Sequence, residues 1–73
     1  MKNIPNTLRE HRKRVGLLQI EVAQKLGVTS SERISKWEKG LTYPHVVNLF
    51  KLARLYGVPA ETLYIEDGSS NPL

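Results

Sequence analysis

Gly16-Leu17-Leu18-Gln19-Ile20-Glu21-Val22-Ala23-Gln24-Lys25-Leu26-Gly27-Val28, followed by Ile34-Ser35-Lys36-Trp37-Glu38-Lys39-Gly40, is the stretch that decides the fold. Val22, Ala23 and Leu26 recur at helical spacing and predict a helix from about Gln19 to Leu26. Gly27 then allows the positive φ that a tight turn needs and a Cβ opposes. Beyond the turn, Ile34 and Trp37 lie one turn apart and give a helix over about Ser31–Lys39 a single narrow apolar edge. At about 100° per residue, Glu32, Ser35, Lys36 and Lys39 point away from that edge. One side of this helix therefore rests on a core and the other shows water a polar, mostly basic face. Taken alone, such a face is also what any solvated surface helix carries.

The rest of the chain is punctuated to match. Asn6 or Thr7 can cap a first helix reaching about Val15. Pro44 is expected in the first turn of a fourth, where no backbone donor is missed, and that helix runs to Tyr56. On it Val46, Leu49, Phe50, Ala53 and Tyr56 form one stripe. A short fifth helix, Ala60 to Tyr64, follows Pro59. The expected class is all-α, with one five-helix domain over residues 1–65 and a disordered tail over 66–73. Helical phase leaves Val47, Leu55 and Ile65 off the core, available for a homodimer contact or a protein partner.

Composition excludes much. The chain has no cysteine, hence no disulfide, thiolate metal site or thiol nucleophile. No apolar run is long enough to span a membrane, and the start carries no apolar secretion signal, so a cytoplasmic protein with no membrane partner is expected. His11 and His45 have no acidic or cysteine cluster at ligand spacing, so no metal is expected. Nor is there a glycine-rich phosphate loop or a nucleophile beside a base, so the expectation is no enzyme, no cofactor and no small-molecule ligand. Charge is unevenly placed: Met1–Gly40 holds nine Lys/Arg against four acids, and the remainder two against three. A basic half joined to a near-neutral one suggests one surface for a polyanion and one for packing.

The quoted stretch, with Leu8-Arg9-Glu10, Arg12, Pro44, Leu49, Lys51-Leu52-Ala53-Arg54 and Gly57-Val58, resembles the helix-turn-helix domain of phage repressors, Cro proteins and xenobiotic-response-element type bacterial regulators. The resemblance covers about Thr7 to Tyr64 and implies a compact lambda-repressor-like domain whose second and third helices form the helix-turn-helix. It implies a sequence-specific regulator of transcription, of repressor type, that binds double-stranded DNA as a homodimer on a palindromic operator, with the third helix in the major groove. Ala23 stands where those two helices cross closely. By position, the resemblance makes Ser31, Glu32, Ser35 and Lys36 the base-reading residues. It makes Gln19, Arg33, Lys39, Thr42 and Tyr43 phosphate contacts, Tyr43 being equally placed as a lid on Trp37. Arg12 and Glu38 match a structural ion pair joining the first helix to the end of the third. The alternative is a protein-interaction module on the same fold, such as an antitoxin or coactivator.

Three departures from the family pattern bear on these expectations. One extra residue lies between Val28 and Ile34, and because the spacing from Ile34 to Gly40 is intact, the turn is expected to absorb it. The cap of the third helix is then Ser30, or else Thr29 in a Thr29-x-x-Glu32 capping box, which would take Glu32 away from DNA. Leu18 and Ile20 replace polar residues: Leu18 is a cap that cannot cap, with Leu17 and Val22 as a hydrophobic staple, and Ile20 is left facing water. His11 stands at a usually apolar position and is expected to pack in the core.

Overall fold

Leu8, Val22, Ala23, Leu26, Ile34, Trp37, Leu52, Ala53, Tyr56 and Leu63, drawn from every helix, are packed into one core. They belong to α1 (Leu8–Arg14), α2 (Gln19–Leu26), α3 (Ser31–Lys39), α4 (Val46–Tyr56) and α5 (Ala60–Tyr64). The computed structural model describes residues 3–64, and no strand occurs among them. The tail expected over 66–73, and Ile65 with it, lie outside the described residues.

Residues 27–30 alone join α2 to α3, so the extra residue sits in the turn and leaves the register of α3 intact. Gly27, at φ 79°, reverses the chain. Ser30 is the cap of α3 by its extended backbone, with no side-chain bond; the Thr29–Glu32 box does not form, and Glu32 is exposed. At the head of α2 the Leu18 amide donates to Glu21 Oε1 at 2.8 Å. Leucine has no acceptor to return, so this is half a capping box. Leu17 is half-buried against the core, while Ile20 is 44% exposed.

The fourth helix corrects the sequence reading twice. It starts at Val46, not at Pro44, because His45 takes the cap: its Nδ1 accepts from the Val47 amide at 3.2 Å. Pro44 is buried just ahead of it. The buried side is Leu52, Ala53 and Tyr56, flanked by half-buried Leu49, whereas Val46 and Phe50 are exposed. Two apolar stripes overlap on this helix, and the one containing Leu52 faces the core. Leu55 is half-buried against the core and Val47 is exposed.

An extended arm before α1 ties the ends of the molecule together. The Ile4 amide donates to the Gly40 carbonyl at 2.8 Å. Asn6 Nδ2 donates to the Trp37 carbonyl at 3.2 Å, and its Oδ1 accepts from the Leu8 amide at 3.0 Å across Thr7, the cap residue of α1. The Thr7 amide and hydroxyl donate to the carbonyls of Leu63 and Thr62 at 3.0 and 2.9 Å. α1 ends one residue earlier than expected, with Val15 as its cap. His11 is half-buried rather than a core residue. Its Nδ1 lies 3.2 Å from Arg14 Nη2, and that nitrogen also donates to the Tyr56 carbonyl at 2.7 Å, at the negative end of α4. A charged neighbour on one side and solvent on the other favour an imidazole at the surface.

Candidate nucleic-acid interface

α3 is held from behind and free in front. Ile34 and Trp37 are 1% and 4% exposed, and burying each contributes roughly 1.5–3 kcal/mol. Behind the helix, Arg12 meets Glu38 in a two-point pair, Nε to Oε2 at 2.6 Å and Nη2 to Oε1 at 3.1 Å. Its third nitrogen donates to the Leu17 carbonyl at 2.9 Å, which ties the knot to the loop before α2. Gln19 Nε2 donates to Glu38 Oε1 at 3.0 Å. One carboxylate thus joins α1, α2 and α3. The bond to Glu38 raises the Arg12 pKa further, so the guanidinium stays charged despite its burial. Glu38 and burial together push the Tyr56 hydroxyl well above its ordinary pKa, burial being the larger cause.

The forward side carries Glu32, Arg33, Lys36 and Lys39, all exposed, with Ser31 and Ser35 half-buried at its margin. Lys36 Nζ and Glu32 Oε2 are 3.9 Å apart, and both side chains are more than half exposed, so neither is committed to the other.

Beside this face a notch of about 270 Å³ opens between α3 and the start of α4, lined by Arg33, Lys36, Trp37, Thr42, Tyr43, His45 and Asn48. It brings together four of the residues singled out in the sequence, Arg33, Lys36, Thr42 and Tyr43. Gln19 and Lys39 do not line it. Tyr43 also leans on Tyr64, with ring centres 5.3 Å apart and planes tilted by 47°. Sequence reasoning missed His45 and Asn48, though their three-residue spacing at the head of α4 was a signal that both face one side. It also missed that the Gln19 amide is engaged with Glu38. An amide nitrogen has two hydrogens, so one remains for another acceptor.

A short turn between two packed helices, the second anchored on one side and polar on the other, defines a helix-turn-helix protein. The chain belongs to the helix-turn-helix family, of the Cro and phage-repressor type, whose pattern matches residues 8–63. DNA-binding regulation of transcription is the activity this membership carries. The chain is similar to an uncharacterized HTH-type transcriptional regulator of Methanothermobacter thermautotrophicus, 40% identical over 65 residues that cover 85% of this chain and 93% of that protein. No solved structure matches it significantly. None of the helices described is long and apolar enough to cross a membrane.

Proposed function

We infer that the chain is a repressor-type regulator that binds duplex DNA as a dimer on a palindromic operator, each copy laying α3 in the major groove. The observation that carries this reading is the division of α3: a back fixed by Ile34, Trp37 and the Arg12–Glu38–Gln19 knot, and a front of uncommitted Glu32, Lys36 and Lys39. A rigid helix presents its side chains in one register, which base reading requires.

Lys36, held at its stem beside Trp37, donates to guanine O6 or N7, and Glu32 accepts from a cytosine amino group. Ser31 and Ser35 bond base edges at the margin. Arg33, Lys39, Thr42 and Tyr43 meet phosphates, and the second Gln19 N–H meets one at the head of α2. A nine-residue recognition helix reads few base pairs, so two copies on half-sites about one helical turn apart supply the specificity.

Selection of sites from random duplex DNA tests the reading. Recovered sites should share an inverted repeat. On that site Lys36→Ala should cost about 1–3 kcal/mol and relax one base pair per half-site. On random DNA the loss should be much smaller. Equal losses on both would make Lys36 a phosphate contact and place base reading elsewhere.

A further inference from the structure

The outward side of α4 is used by nothing described so far. Val46, Val47 and Phe50 are 52%, 52% and 60% exposed there. A hollow of about 280 Å³ lies among Val47, Phe50, Lys51 and Arg54. A second, of about 460 Å³, lies among Lys25, Leu26, Lys51, Arg54 and Leu55. Lys51 and Arg54 line both, so the two form one groove running from the outer side of α4 to the end of α2. Lys51 Nζ, 3.4 Å from the Leu26 carbonyl, straddles the junction. No residue of this groove lines the notch beside α3.

We propose that this groove docks an acidic amphipathic segment of another protein, its apolar residues on Val47, Phe50 and Leu55 and its carboxylates on Lys25, Lys51 and Arg54. Every charged side chain lining the groove is basic. A second copy related by two-fold symmetry would set Lys51 and Arg54 against their own counterparts, which opposes self-association through this face. The size argues the same way. From Val47 to Arg54 α4 advances about 10 Å, a length that suits one short segment in a groove. A stable interface between globular partners needs about 800 Å² from each. DNA offers phosphates to the cations and nothing to Phe50 or the leucines. An acidic segment with leucine or phenylalanine at helical spacing matches both parts. Because groove and notch share no residue, one molecule can hold DNA and partner together, and the groove would recruit that partner to the bound site.

The test uses the full chain labelled with nitrogen-15. The probes are a synthetic amphipathic peptide of leucine and glutamate at helical spacing, and its twin with every glutamate replaced by glutamine. The acidic peptide should shift the amides of Lys25, Val47, Phe50, Lys51 and Arg54 and leave those of Glu32 and Lys36 in place. The twin should bind roughly tenfold more weakly. Lys51→Glu with Arg54→Glu should lose a similar factor, as should Phe50→Ser, an exposed change that leaves the helical circular dichroism intact. Equal binding of the twin, shifts confined to α3, or no shift on α4 would overturn the proposal. So would a dimer that Phe50→Ser turns into a monomer, since a second copy then fills the groove. Tighter peptide binding after Glu66→Gln with Asp67→Asn would overturn it as well, by assigning the groove to the chain's own acids. None of these outcomes touches site selection by α3, so the two readings fail separately.

Discussion

α3 carries two carboxylates six residues apart, and they live in different worlds. The Glu38 side chain is 4% exposed and accepts three bonds from Arg12 and Gln19. The Glu32 side chain is 75% exposed and faces a lysine 3.9 Å away. A buried carboxylate with every partner in place fixes geometry, and losing one partner leaves a charge stranded. An exposed pair is worth little and yields to any better partner. The helix is thus fixed on its buried side and uncommitted on its exposed one.

The largest break in this contrast is Arg12→Ala. It should cost about 3–5 kcal/mol by stranding Glu38, seen as a large drop in the urea midpoint. A double-mutant cycle with Glu38→Ala should show strong coupling, and a coupling near zero would refute the pair's role. Gly40→Ala comes next. Its φ of 78° costs a side chain about 1–2 kcal/mol, and the new Cβ would run into the Ile4 backbone, so the arm must let go of α3. Its thermal midpoint should fall with the helix content nearly intact.

Smaller again is the alkaline limit. Burial pushes the Tyr64 hydroxyl up to about 12 from its ordinary 10.0, with Tyr43 adding to the shift. A raised acid favours its neutral form in the folded state, so the contribution is complete below pH 10 and is lost as pH climbs through about 12. Tyr64→Phe should flatten the fall in urea midpoint across that window. On the outer face, Lys36→Ala should change stability by no more than about 0.5 kcal/mol even as it weakens operator binding. Smallest is Tyr56→Phe. The buried Tyr56 hydroxyl finds no bonding partner among the described residues, so removing it should leave stability level or slightly raised.

What the sequence made legible follows from which forces are local. The limits of α2 and α3 were readable because apolar spacing and closing glycines act within a few residues. The likeness to repressors pointed to Arg12 and Glu38, which no local pattern pairs across 26 positions. The phase of α4 was not readable, because its stripes through Phe50 and through Leu52 are both apolar and only the packing of the other helices chooses between them. His45 displaced Pro44 from the helix by a bond that spacing does not announce. Among the forward residues, Lys36 and Glu32 were singled out by position alone, whereas His45 and Asn48 joined the notch through tertiary packing.

The bonds from Thr7 to Thr62 and Leu63 have one more consequence. They set the start of α1 beside α5, so the path through the five helices is nearly a closed ring. A linker from Tyr64 back to the arm before Thr7 would then permit new ends to be cut elsewhere, and the exposed Leu41–Thr42 loop is a natural place. Such a permuted chain would separate α3 from α4 in sequence while keeping them neighbours in space. Contacts across the α3–α4 junction would become distant in sequence and those between α1 and α5 local, while the α2–α3 and α4–α5 pairs would keep their spacing. Its folding rate compared with the parent's would tell whether closure of the ring or assembly of the helix-turn-helix limits folding.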